Sequence, residues 1–344
     1  MAHRVAIIGA GMIANWHVKM WRAAGTEVAA VADVNAEVLD TFARRHAITS
    51  TYADYTDLLS SESGVDIVDV CTPPWLHARM TIDALESGRH VLCEKPIALN
   101  AAEADAMAAA AERAGRLLAC RQGDTRLSRE AQTVAAVVDS GILGDIYFLR
   151  LITRALYRPG IEYNPGASWF LDRSKAGGGV LYDWGVYDLE LLFSVFGPLE
   201  VEKITARTFT GVDSPQLDTP FDVEEHAVAM LTLRDGTTVF WERAWATHLP
   251  PENRWDFYGT HAGFSFVPHS AVLLVDMDPR LTRYAPSQPA QLEVPPMAPA
   301  GPNVYQDFLM AVDGERAPAC PGWEAADMLR IIERVYTAAE GVTA

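Results

Sequence analysis

Several common features are scarce in this 344-residue chain, and each scarcity removes a class of protein. Cys71, Cys93, Cys120 and Cys320 are scattered, form no C-x-x-C pair and have no closely spaced histidine partner. Neither a disulfide framework nor a zinc site is expected. His226, His248, His261 and His269 also lack metal-ligand spacing, so they read as surface or core residues and no metal is expected. No apolar run reaches the ~18 residues that mark a membrane span. The opening Met1-Ala-His-Arg4 leads directly into an apolar strand without an export-signal pattern. A cytoplasmic chain with reduced thiols and no membrane partner is the expectation. Positive charge is in deficit too: 28 Lys+Arg against 45 Asp+Glu leave a formal charge of −17, a field that repels phosphate backbones. Nucleic acid is therefore not an expected partner. There is no internal repeat.

What is present is ordinary for a globular protein, with 49% hydrophobic and 21% charged residues, and enough length for two domains. Val5-Ala-Ile-Ile8 has the apolar run of a buried parallel strand, and 12–23 reads as a helix stopped by Gly25. A strand over 27–32 closed by Asp33, a helix over 36–46, a strand over 65–70, a helix over 76–87 and a strand over 90–93 continue the alternation. A further helix starts after Asn100, which pairs with Glu103 in a capping motif, and Gly115 ends it. Strands and helices alternating in this way predict a doubly wound parallel sheet with right-handed crossovers.

After about residue 125 the pattern changes. A helix over 129–140, a strand over 146–153, a long loop and a helix over 183–196 are followed mostly by strands. The runs 231–234 and 237–241 flank Asp235-Gly236, the signal of a tight hairpin. Further strands are expected near 201–208, 254–259, 264–267 and 271–276, and prolines 279, 286, 289, 295, 296, 299 and 302 predict loop across 279–302. A helix over 323–340 closes the chain. The expected division is residues 1–125 as a nucleotide-binding α/β domain and 126–344 as an α+β domain with a large, mainly antiparallel sheet.

Gly9-Ala-Gly-Met-Ile-Ala14 fits G-x-G-x-x-G/A between a strand and a helix. Gly9 and Gly11 permit a tight turn and close backbone approach to a pyrophosphate, and the amides from Gly11 through Met12 and Ile13 open a helix whose positive end faces that anion. Asp33, about 20 residues on, can accept bonds from ribose hydroxyls and would repel a 2′-phosphate, which favours NAD over NADP. An aspartate that only caps the next turn is the competing reading. Thr72, Pro73 and His77 follow one strand and Glu94-Lys95-Pro96 the next, at the sheet edge where ligands of parallel sheets bind.

These pieces, with Ala84-Leu-Glu-Ser-Gly-Arg-His-Val-Leu-Cys-Glu-Lys-Pro96, Gly141-Ile-Leu-Gly144 and Gly177-Gly-Gly-Val-Leu-Tyr-Asp-Trp-Gly-Val-Tyr-Asp188, resemble the glucose-fructose oxidoreductase and inositol dehydrogenase family, Gfo/Idh/MocA. The resemblance implies a Rossmann domain followed by an α+β domain for substrate binding and assembly into a homodimer or homotetramer. It also implies hydride transfer between NAD and a carbinol or carbonyl of a sugar, glycoside or polyol. Lys95 corresponds to the family's active-site lysine and Asp183 to the aspartate after its triple glycine. Where the family usually has histidine, this chain has Tyr187.

An unperturbed tyrosine, pKa ~10, is a poorer proton acceptor than histidine. A helix from Asp183 puts Tyr187 one turn later on the same face, and Lys95 with the nicotinamide ring would favour phenolate. Tyr187 as proton carrier is thus one reading; an aromatic packing role, with Lys95 or Asp183 moving the proton, is the other. Arg126 and Trp169 are candidates for substrate contact or for structural roles. Two further readings are a sugar–sugar oxidoreductase that keeps its cofactor bound and a non-catalytic NAD-binding regulator.

Overall fold

The computed structural model describes residues 3–212, 220–267, 279–284, 290–296 and 301–341. The chain divides into two compact units, Met1–Leu127 with Pro302–Asp327, and Ser128–Gly301 with Met328–Ala344.

The first unit is built on six parallel strands: β1 (Arg4–Ile8), β2 (Glu27–Ala32), β3 (Ser50–Tyr52), β4 (Ile67–Val70), β5 (His90–Cys93) and β6 (Leu118–Cys120). Their order is β3-β2-β1-β4-β5-β6, so the chain reverses direction between β1 and β4 and opens a crevice at the carboxyl ends. β1 and β4 are buried along nearly their whole length, as a sheet covered on both faces requires. β2, the helix Ala36–His46 and β5 coincide with the sequence reading. Asn100 caps the helix Ala101–Ala114 by accepting from the Glu103 amide at 2.8 Å, and Gly115 ends it in the left-handed region at φ 59°. The three-residue strands β3 and β6 and the helix Tyr55–Ser61 go beyond the sequence reading, being too short to show a period.

The segment 302–327 belongs to the first unit, whereas the sequence division assigned it to the second. Its helix Val304–Val312 was not expected either. Asn303 and Gln306 form a reciprocal capping box at its start. Tyr305 and Phe308 then pack edge-on against Trp21, with ring centroids 5.0 and 6.4 Å away. Those rings complete the core above β1 and β2, which is why the chain returns.

The second unit holds an eight-stranded sheet, ordered β14-β13-β12-β11-β7-β10-β9-β8. Its strands are β7 (Ile146–Arg154), β8 (Val201–Phe209), β9 (His226–Leu233), β10 (Thr238–Ala244), β11 (Glu252–Gly259), β12 (Gly263–Phe266), β13 (Arg280–Arg283) and β14 (Ala290–Leu292). β7 and β10 run parallel and every other pair is antiparallel. The β9–β10 turn places Gly236 at φ 89°, the conformation the Asp-Gly pair demands. β13 and β14 correct the expectation of loop across 279–302: neither contains proline, so each can pair even though prolines surround them. The expected strand at 271–276, His269 and prolines 286, 289 and 299 lie outside the described residues. Among the described residues, no helix is long and apolar enough to cross a membrane.

Candidate functional site

The glycine turn takes the shape its sequence requires. Gly9 sits at φ 97°, and a Cβ there would lie 2.9 Å from the backbone C and O of Cys71, so only glycine lets the two loops approach. A Cβ on Gly11 would meet nothing within 4 Å, which leaves room above the turn. Ala14 is fully buried against the sheet. The helix Ala14–Ala23 has Ile13 at its N-cap, no side-chain cap and no acid in its first turn. An open turn before an uncapped helix end is what a pyrophosphate cradle needs, and an NAD pyrophosphate fits it.

Asp33 caps its own turn, as the competing reading has it, and makes a second contact that the sequence did not show. One carboxylate oxygen accepts the Ala10 amide at 2.8 Å and the other accepts the Asn35 amide at 2.8 Å. The side chain therefore braces the glycine turn as well as its own turn. A cavity of about 240 Å³ beside Ala10 is lined in part by Glu37 and Arg45.

The loops after β4 and β5 are joined by His77. This buried ring places Nε2 2.6 Å from the Thr72 carbonyl and Nδ1 2.8 Å from the Pro96 carbonyl, and burial lowers its pKa. Pro73 precedes the short turn Pro74–Leu76 that leads into the helix His77–Glu86. The Glu94-Lys95-Pro96 turn is anchored from within, because Glu94 Oε2 accepts the Lys95 amide at 2.8 Å. Glu94 Oε1 lies 2.9 Å from His17 Nε2 and 2.9 Å from Arg121 Nε. Burial alone would raise the Glu94 pKa, but Arg121, His17 and Lys95 outweigh it and hold the carboxyl well below its usual range.

His17, Trp21, Asp69 and Arg121 are neighbours of this turn that the sequence reading missed. His17 Nδ1 is 2.8 Å from Asp69 Oδ2, which also accepts from Trp21 Nε1 at 2.6 Å. Asp69 carried a legible signal: an acid in the middle of the buried strand β4 must have a partner. Ligand atoms of His17, Asp69 and Cys71 lie within 4.8 Å of one another. Both His17 nitrogens are hydrogen bonded to carboxylates, and burial pushes the Cys71 thiol up to about 12, which suits a hydrogen-bonded cluster better than a metal-ligand set.

In the second unit the triple glycine serves close packing. A Cβ on Gly178 would lie 2.2 Å from the Tyr336 hydroxyl, one on Gly179 would lie 1.9 Å from the Glu224 carbonyl, and one on Gly185 2.8 Å from the Trp241 ring. Buried Glu224 accepts the amides of Gly179 and Leu181 at 2.9 and 3.0 Å and the Tyr336 hydroxyl at 2.8 Å. It thereby caps the turn that carries the candidate catalytic residues. That turn, Leu181–Gly185, is a π-helix that becomes an α-helix over Val186–Phe196, a wider start than the expected helix over 183–196. Single π-turns of this kind recur at functional sites. Asp183 is buried and accepts from Trp245 Nε1 at 3.2 Å, while Tyr187 is half-buried one turn on. Asp188 is fixed by Arg243 and by Trp241 Nε1 at 2.7 Å.

The two softer candidates are engaged locally. Trp169 stacks on Phe170 with ring centroids 3.9 Å apart. Arg126 Nη2 lies 2.8 Å from Glu324 Oε2, within the first unit. His226 pairs with Glu242 at 3.2 Å.

Comparison with known proteins agrees with this fold. Residues 3–122 match the GFO_IDH_MocA profile, an oxidoreductase family with an NAD-binding Rossmann fold, and residues 131–265 match the GFO/IDH/MocA C-terminal domain. The D-glucoside 3-dehydrogenase of Escherichia coli K12 is 29% identical over 277 residues, covering 77% of each chain. The 1,5-anhydro-D-fructose reductase of Ensifer adhaerens is 27% identical over 347 residues, covering 97% of each. The crystal structure of an aldose-aldose oxidoreductase from Caulobacter crescentus superposes with a TM-score of 0.82 at 26% identity, covering 100% of this chain and 99% of that one.

Proposed function

The chain belongs to the GFO/IDH/MocA oxidoreductase family, and from that membership we propose that it is an NAD-dependent enzyme acting on a secondary carbinol, or the matching ketone, of a sugar, glycoside or cyclic polyol. The observation that carries this reading is the anchoring of Lys95. Its amide is held by a buried carboxylate at the same sheet edge as the glycine cradle. A free surface lysine needs no such support. The relatives named for a glucoside and for anhydrofructose support the substrate class.

Gly9, Gly11, Met12 and Ile13 would hold the pyrophosphate, and Asp33 the ribose hydroxyls, with its negative charge favouring NAD over NADP. When bound, NAD supplies the hydride acceptor or donor. Lys95 orients the reacting hydroxyl, Tyr187 takes its proton, and Asp183 holds neighbouring hydroxyls. Asp183 is carried by the turn that Glu224 caps, and Tyr187 by the first turn of the helix Val186–Phe196 that follows it. Assembly through one face of the eight-stranded sheet, as a homodimer or homotetramer, is part of the same reading.

A spectrophotometric screen of polyols, free sugars and glycosides with NAD and NADP tests the class. On the substrate it identifies, Tyr187→Phe should lower turnover by about 10²-fold or more while leaving NAD affinity unchanged. Full activity in that variant removes Tyr187 from the mechanism.

The similarity to an aldose-aldose oxidoreductase favours a second reading, in which the cofactor stays bound and shuttles hydride between two sugars. Nicotinamide absorbance that remains with the purified protein through dialysis supports it.

A further inference from the structure

We propose that His17 is a positioning residue: an imidazolium between Asp69 and Glu94, it ties the helix of the dinucleotide cradle to the Glu94-Lys95-Pro96 turn and so sets where the Lys95 ammonium stands. This rests on the role proposed above for Lys95.

His17 lies on Ala14–Ala23, the helix whose open end forms the cradle, and is 0% exposed. Its two ring nitrogens face two different carboxylates, Asp69 on β4 at 2.8 Å and Glu94 just after β5 at 2.9 Å. Two ionised carboxylates are both met only when both nitrogens donate, which is the charged ring, and their negative charge holds it there; the carbonyls that flank His77 carry no such charge to offset burial. The cluster is then balanced, with His17 and Arg121 positive and Asp69 and Glu94 negative. Burial opposes the ring's charge, yet the field of Asp69 and its hydrogen bond to the ring raise its pKa well above the ordinary value.

The connection to Lys95 runs through one carboxylate. Glu94 Oε1 takes the His17 ring and Arg121, while Oε2 takes the Lys95 amide. Rotation of that carboxylate breaks both sides together. One residue on, the Pro96 carbonyl faces the His77 ring at 2.8 Å, so the turn is pinned on either side of the Lys95 side chain. If the space needed only filling, apolar side chains could fill it without burying four charges.

The test is a double-mutant cycle on the holoenzyme with the substrate found by the screen, using His17→Gln, Lys95→Ala and the pair. Lys95→Ala alone checks the underlying reading, since undiminished turnover there shows that Lys95 has no role, whatever His17 does. If His17 acts through Lys95, His17→Gln lowers kcat on the order of 10²-fold in the native background. In the Lys95→Ala background it lowers kcat by less than about threefold. NAD affinity, read by fluorescence titration, stays within about threefold in both. The same large factor in both backgrounds, a loss confined to NAD affinity, or unchanged kcat overturns the proposal. Should His17→Gln not fold, Glu94→Gln, which keeps the volume and one acceptor for the Lys95 amide, replaces it under the same criteria.

Discussion

Gly9 and Gly11 stand two residues apart in one turn, yet a methyl group meets opposite surroundings at each. At Gly9 it collides with the Cys71 backbone and the backbone is left-handed, so Gly9→Ala should cost about 1–3 kcal/mol of stability. At Gly11 the methyl enters open space, and Gly11→Ala should melt within about 0.5 kcal/mol of the native protein. That same space is the one assigned to the pyrophosphate, so Gly11→Ala should still weaken NAD binding at least about tenfold, 1.4 kcal/mol. Thermal melts and fluorescence titrations of the two variants separate folding from binding, and native NAD affinity in Gly11→Ala would remove the cradle from the reading. At this scale the motif residues were legible because their demands are local. Asp33 shows the limit. Its spacing from the glycines was visible, but its grip on the Ala10 amide depends on how β1 and β2 pair.

The buried cluster belongs to the next scale, since His17, Asp69, Glu94 and Arg121 come from a helix, the interior of β4, the turn after β5 and the turn after β6. No spacing rule joins residues 17, 69, 94 and 121. Only the parallel pairing of β4 with β1 and β5 brings them together, and Asp69 inside an apolar strand was the one visible trace. Its pH dependence follows from the raised His17 pKa. Burial lowers that pKa, but Asp69 outweighs it, so the folded value lies well above 6.5. Below the unfolded pKa of about 6.5 both states hold the proton and the stabilisation is complete. Above it the unfolded chain has lost the proton and the folded chain keeps it, so stability falls as pH rises through the folded pKa. The melting temperature of the native protein should therefore decline more steeply than that of His17→Gln on raising the pH from 6.5. Parallel slopes would show that His17 is not an imidazolium in the folded chain. Long periodic elements such as β2 and Ala36–His46 were legible for the opposite reason, because their burial pattern repeats within one segment.

For the molecule as a whole, the order of elements was readable and the path of the chain was not. The return of 302–327 to the first unit depends on Tyr305 and Phe308 meeting Trp21, nearly three hundred residues earlier in the sequence, and only the Asn303/Gln306 capping pair marked the helix that carries them. The eight-stranded sheet has a further consequence at this scale. Burial alternates along β9 and β10: Ala229, Leu231, Val239 and Trp241 are buried, while Val228 and Phe240 are half-buried and Met230 is 45% exposed. Phe240 and Met230 are direct cross-strand partners, and Phe148 stands against Tyr258 with ring centroids 5.2 Å apart. An apolar strip of this kind on an open sheet face is the sort of surface that a second copy covers. The ion pair of Arg150 with Asp256 lies within this face, Arg150 standing directly beside Phe240 on the neighbouring strand, so the strip carries a paired charge among its apolar side chains. Placing carboxylates at its centre, as Met230→Glu with Phe240→Glu, should convert the assembled protein to monomers in sedimentation velocity while both side chains' strands keep their backbone pairing and the melting transition stays cooperative. A double variant that still assembles places the contact on another surface, and a native protein that already sediments as a monomer overturns the assembly itself.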